Sequence, residues 1–180
     1  MQNKNLTVLQ QEQRKTRMKI NWIMDAMLPE EILLCMQRAA DQSTECEGIE
    51  YPCSLSVRLC SDEVIAEINR HFRNKAQSTD VLSFPSVSYP AGKTAGSCGK
   101  LLRLEYDDET GTCFLGDIII AVPHIYAQAQ EYGHTVSREA AYLLTHGICH
   151  LFGYDHMEED DKKRMRLMEE KILSSAYIRD

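Results

Sequence analysis

The chain has no run of about 18 apolar residues, the length that a membrane-spanning helix needs. Its longest apolar stretches, such as Ile118-Ile119-Ile120-Ala121-Val122, are strand-sized, so no membrane partner is expected. No C-x-x-C pair occurs among its seven cysteines, Cys35, Cys46, Cys53, Cys60, Cys98, Cys113 and Cys149. Their odd number argues against a disulfide framework, and their scatter against a cysteine-based zinc site. A reducing compartment suits them best. The N-terminus lacks a basic region followed by an apolar core, so no secretory signal is expected and a cytoplasmic location is. Internal repeats are absent.

A surplus of positive charge is absent too. The net charge of −7 does not favour a nucleic-acid binder by its total, although the placement of charge can override the total. Basic residues gather at Arg14-Lys15-Thr16-Arg17-Met18-Lys19 and at Arg70-His71-Phe72-Arg73-Asn74-Lys75. Acidic residues gather at Glu105-Tyr106-Asp107-Asp108-Glu109 and at Glu158-Glu159-Asp160-Asp161. Such runs are more often solvated faces than binding sites.

What is present suits one domain. The 180 residues are 43% apolar, enough for a sizeable core. Residues 1–19 read as a polar N-terminal segment with a short first strand at Leu6-Thr7-Val8-Leu9, and residues 20–180 as a single catalytic domain. Ile20 to Gln42 has helical spacing through Trp22, Ile23, Met27, Ile32, Leu33 and Met36, with Pro29 dividing or kinking it. Ser54 to Cys60 alternates with period two and predicts a half-buried strand. Ser61 offers an N-cap to a helix through Ile65, Ile68 and Phe72. Asp80 to Phe84 predicts a short strand. Ser86 to Thr112 carries most of the turn signals and reads as surface loop, with a hairpin around Lys100 to Thr112. Phe114 to Ala121 is the most apolar strand. Pro123 opens a helix that Gly133 stops, Ser137 caps the next, and a last helix from Glu158 to Ala176 carries Met165, Met168 and Ile172 on one side. Strands and helices mix without strict alternation, so the class is α+β, a mixed sheet packed with helices.

Three of the six histidines fall in Thr145-His146-Gly147-Ile148-Cys149-His150-Leu151-Phe152-Gly153-Tyr154-Asp155-His156. His146 and His150, four apart, share one face of a helix, with Cβ atoms roughly 5–6 Å apart. Gly153 can take positive φ, end the helix, and let His156 return to the same ion. Three protein ligands leave a fourth position for water, which is the catalytic form of a zinc site. The metal site therefore sits on a helix and the following turn. The spacing resembles the metzincin pattern H-E-x-x-H-x-x-G-x-x-H, but Gly147 stands where those peptidases carry their general base. Cys149 reads either as a spare soft ligand or as a small buried apolar residue, the second being commoner.

Three segments together resemble the YbeY endoribonuclease family of bacterial rRNA maturation factors. They are Ile68-Asn69-Arg70-His71-Phe72-Arg73-Asn74-Lys75 leading into Ser78-Thr79-Asp80-Val81-Leu82-Ser83-Phe84-Pro85; Leu115-Gly116-Asp117-Ile118; and Glu131-Tyr132-Gly133-His134-Thr135 leading to the histidine motif. The resemblance covers roughly residues 54–175. It implies a zinc-dependent, single-strand-specific endoribonuclease acting in maturation of the 3′ end of the small-subunit rRNA and in ribosome quality control. Single-stranded rRNA and the ribosome or its small subunit would be its partners. It places the metal ligands on His146, His150 and His156, and the functional arginine on Arg73. This chain departs from the family in Phe72, where Tyr is common, and in Gln77-Ser78.

A zinc ion lowers the pKa of its water to about 7, and an arginine stays charged and can bond two phosphoryl oxygens at once. Asp155 could orient an imidazole or cap the turn. Asp117 could touch RNA, bind a protein or hold a strand end. His71, His124 and His134 lack local ligand partners and read as structural or surface residues. Arg70, Arg73 and Lys75 could hold phosphates. Two rivals stay open: a zinc metallopeptidase, and a non-catalytic zinc-stabilised ribosome-assembly module.

Overall fold

The computed structural model describes residues 18–178. Its first strand, β1 (Lys19–Met24), corrects the helix expected from Ile20. Ile20, Trp22 and Met24 face inward while Lys19, Asn21 and Ile23 face out. These three fit a two-residue period, while Ile20, Ile23 and Met27 fit a helical one, and parallel pairing with the next strand decides between them. The helix α1 (Glu30–Glu47) starts directly after Pro29, where the missing proline N–H costs nothing. It runs past Gln42 to Gly48, whose φ of 75° ends it. The strand expected at Leu6 to Leu9 lies outside the described residues.

There follow β2 (Cys53–Cys60), α2 (Asp62–Arg73), β3 (Val81–Pro85), a single 3₁₀ turn (Gly96–Cys98), α3 (Gly99–Leu104), β4 (Tyr106–Asp107), β5 (Thr112–Ala121), α4 (Val122–Tyr132), α5 (Val136–Leu151) and α6 (Glu159–Ser175). The sheet has the order β1-β2-β5-β3, with β4 on the start of β5. β1, β2 and β5 are parallel, and β3 and β4 run against them. This is the expected α+β class with a mixed sheet.

The two faces of the sheet are covered unequally. On one face Leu55, Val57, Leu59, Ile118 and Ile120 pack against α1 and α5 through Met36, Leu144 and Ile148. A further layer, α6, lays Met165, Ile172 and Leu173 against Cys35, Ala39, Ala141 and Cys149 of those two helices. On the other face Ile65 of α2 meets Leu82, Ile119 and Ala121.

Two local expectations are corrected. Thr135, not Ser137, caps α5: its hydroxyl accepts the Arg138 N–H at 3.2 Å, the reach of an N-cap side chain. The segment from Ser86 is no simple surface loop, since Val87, Ala95 and Leu102 are buried in the main core. Lys100 is helical, so the expected hairpin shrinks to β4 against the start of β5.

Candidate metal centre

His146 and His150 stand one turn apart on α5, with ring centroids 4.7 Å apart. Their Nε2 atoms approach to 3.2 Å. Each ring is held from behind. His146 Nδ1 lies 2.8 Å from Glu169 Oε1 of α6, and His150 Nδ1 lies 3.1 Å from the Tyr154 carbonyl oxygen. A carboxylate and a carbonyl only accept, so both Nδ1 atoms carry the proton and both Nε2 lone pairs point inward. The third ring arrives through a turn. α5 stops at Phe152, Gly153 takes a φ of 89°, and the exposed His156 comes back with its ring 5.6 Å from that of His146 and 5.1 Å from that of His150.

One ligand atom from each of the three lies within 4.8 Å of the others. Tetrahedral nitrogens at about 2.0–2.1 Å from zinc stand about 3.3–3.4 Å from one another. The helix-borne pair already has that edge, so these residues fit a metal ion. Burial, followed by the neighbouring His146 and His156, pushes His150 down to about 4. It is therefore neutral near pH 7, the state in which an imidazole ligates.

The turn that delivers His156 is braced by the segment after β3. Ala95 donates its N–H to the Phe152 carbonyl at 2.9 Å. A Cβ on Gly153 would meet the Tyr89 ring at 2.7 Å, so only glycine fits beneath that ring. The Tyr154 hydroxyl donates to Glu47 at 2.8 Å, tying the turn to the end of α1.

Gly147 has a packing cause. Its missing Cβ would lie 2.9 Å from two carbons of Ile118 and 3.1 Å from the Ser83 hydroxyl. Position 147 thus faces the sheet, and a glutamate there would be driven into β5 and β3.

Other candidates separate from the cluster. Asp155 accepts the His156 N–H at 2.7 Å, the turn-capping role. Cys149 packs into the layer between α5 and α6, and burial pushes its thiol well above the ordinary range. His124 bonds Ser78, His134 meets Glu139 at 3.2 Å, and His71 abuts Phe72. Arg73 ends α2, exposed, on the opposite side of the sheet from α5. Asp117 lies in β5 opposite Phe84. Sequence reasoning missed Glu169. Its signal was an acid in phase with the apolar stripe, four residues after Met165 and three before Ile172.

A family model described as Endoribonuclease YbeY matches residues 10–177. The chain belongs to the YbeY endoribonuclease family. Curated YbeY endoribonucleases resemble it along most of their length. That of Clostridium kluyveri is 40% identical over 148 residues, 79% of this chain and 90% of the relative. That of Acetivibrio thermocellus is 41% identical over 151 residues, 84% and 90%. A YbeY from Clostridium botulinum (strain Langeland) is 36% identical over 170 residues, 93% and 96%. A solution structure of a Thermotoga maritima protein shares the fold, with a TM-score of 0.57, 23% identity and 89% of each chain covered.

Proposed function

We propose that this YbeY family member is a zinc-dependent, single-strand-specific endoribonuclease that acts in the cytoplasm on ribosomal RNA. Its tasks would be maturation of the small-subunit 3′ end and ribosome quality control. One observation carries the reading beyond family membership. The two helix-borne imidazoles turn their Nε2 atoms to a shared centre, while the position of the peptidase glutamate is closed by Ile118 and Ser83. That pairing supports metal chemistry and weighs against peptide hydrolysis by a neighbouring carboxylate.

A bound zinc would supply Lewis acidity beside the scissile phosphate. The chain's own residues do the rest. His146, His150 and His156 hold the ion, and Gly147 lets α5 approach the sheet closely enough to fix the first two. Arg73 clamps the RNA. Phe72, its neighbour, packs on Phe84 of β3 with ring centroids 5.0 Å apart, and Gly147 abuts Ser83, the residue before Phe84. The end of α2 and the middle of α5 therefore meet the same stretch of the edge strand from its two faces. A flexible single strand can bend over that edge toward both, which supports the single-strand preference. Arg73, with Arg70 and Lys75 nearby, would bond phosphoryl oxygens, its planar fork reaching two of them. The net acidic chain gains little from general attraction to RNA, so the ribosome would supply the rest of the affinity.

The test uses zinc-loaded protein with single-stranded rRNA precursor, a duplex of equal length and an unstructured peptide. Cleavage of the single strand alone, lost with a chelator, is the expected result. Peptide cleavage with RNA intact would replace this reading with the peptidase. Ribosome association without cleavage would replace it with the assembly module.

A further inference from the structure

We propose that Glu169 is a positioning residue of the metal centre, and that through it the C-terminal helix α6 sets the affinity of the three-histidine site for its ion. The inference rests on the metal-dependent reading above and assigns a role to a residue outside the histidine motif.

Glu169 is out of place by packing alone. Its side chain is 7% exposed, in phase with Met165 and Ile172 on the stripe that α6 lays against α1 and α5. A carboxylate on such a stripe is costly unless something answers its charge, and an apolar residue there would pack without that cost. The partner it meets there is His146, whose Nδ1–H donates to Oε1 at 2.8 Å.

The consequence reaches the other side of the ring. Accepting from Nδ1–H, the carboxylate fixes one tautomer and one ring orientation, and makes Nε2 the more basic ligand. It also holds that Nε2 3.2 Å from the Nε2 of His150. His150 is oriented by a main-chain carbonyl instead, which no side-chain substitution removes. Of the two helix-borne ligands, His146 is therefore the one whose geometry hangs on a distant side chain. A divalent ion on the far side of His146 would in turn help to neutralise the buried carboxylate, so α6 and the ion favour each other.

A purely structural role, stapling α6 to α5, makes a different prediction, and two variants separate the roles. Glu169→Leu restores an apolar stripe. Glu169→Gln keeps the size and an acceptor oxygen but loses the charge. Full-length protein, stripped of metal, is titrated with Zn²⁺ against a chromophoric chelator; Co²⁺ loading gives a visible spectrum of the ligand field. We expect zinc affinity to fall about 10-fold in Glu169→Gln and about 100-fold in Glu169→Leu, the range for losing such a partner. The Co²⁺ bands should shift in both. The metal-free Leu variant should melt at or above the wild-type temperature, and zinc should raise its Tm less. Wild-type affinity within twofold in both variants, with unshifted Co²⁺ bands, overturns the proposal. If the Leu variant does not fold, the Gln variant decides alone by the same criterion. Wild-type protein that binds no zinc would remove the metal-dependent reading, and this inference with it.

Discussion

The two faces of the sheet do different kinds of work. The α5 face is deep: α1 and α5 cover it, α6 covers them, and the side chains between are nearly all buried. The α2 face is thin: one helix, a small cluster around Ile65, and a groove of about 360 Å³ lined by Ile23, Arg58, Phe72, Phe84 and Asp117. Phe72 is 63% exposed there and Ile23 42%. A metal site needs ligand atoms held to within a few tenths of an ångström, and the three histidines that could hold an ion sit on the face where a ring can be braced from behind. Contact with a phosphate backbone needs charge within reach more than fixed geometry, and Arg70, Arg73 and Lys75 stand on exposed chain at the end of α2.

Substitutions on the two faces should therefore fail differently. The largest effect is expected from His150→Ala on the deep face. Zinc affinity should fall by more than the about 10–100-fold that loss of an outer partner costs, and RNA cleavage should drop to background. Arg73→Ala on the thin face should lower cleavage about 10²–10³-fold, the usual loss for one charge-stabilising donor, with zinc content and melting temperature unchanged. Single-turnover cleavage with metal analysis on the same samples checks both. Wild-type cleavage by Arg73→Ala would take that arginine out of the mechanism. Loss of zinc in the same variant would erase the distinction between the faces.

The glycines sharpen the comparison further, because two of them lie where the deep face meets the sheet. Gly116 has a φ of 136°, and a Cβ there would sit 2.2 Å from the Phe84 carbonyl oxygen. It marks the irregular register of β5 against β2 between Ser54 and Ser56. Gly116→Ala should cost about 3 kcal/mol in urea unfolding, from overpacking and backbone strain together. Gly147→Ala meets side-chain carbons of Ile118 rather than backbone, and Ala favours a helix over Gly by about 1 kcal/mol. A net loss of no more than about 1 kcal/mol is expected there. Equal costs at the two positions would mean that the Ile118 side chain yields no more to a Cβ on α5 than the Phe84 carbonyl yields to one at Gly116.

The same contrast explains what could be read from the residues beforehand. The histidine spacing was legible because helical geometry is local: His146, His150, Gly153 and His156 depend on one turn and one glycine. The strands β2 and β5 were legible from alternation and apolar runs. β1 was not, because Ile20, Trp22 and Met24 fit a two-residue period while Ile20, Ile23 and Met27 fit a helical one, and only the partner strand β2, 35 residues further on by the Ile20–Leu55 pairing, chooses between them. Glu169 was hidden for a related reason. It lies 23 residues from His146, and its phase with Met165 and Ile172 points to burial without naming the histidine that it meets. Val87, Ala95 and Leu102 were masked by the turn residues around them, which described the path of the chain correctly but not the core that path enters.

Asp80 joins the two faces, and the smallest effect is expected from it. It follows the exposed basic loop after α2 and opens β3. Burial pushes its carboxyl up, but hydrogen bonds from Gln128 of α4, from the Val81 N–H and from Thr79 outweigh burial and hold it below the usual range. A carboxyl depressed in the folded state binds fewer protons there than in the unfolded chain. Its stabilisation is complete above the ordinary Asp pKa of about 3.9 and disappears as pH falls through the lower folded value. Asp80→Asn, which cannot titrate, should be about 1 kcal/mol less stable than wild type at pH 7, a typical worth for such hydrogen bonds. That gap should narrow steadily below about pH 4. Urea unfolding of both proteins at pH 7, 5, 4 and 3 measures it. A gap that stays constant across the series would mean that Asp80 joins the loop to α4 by shape alone, and that its charge contributes nothing to holding β3 between the two faces.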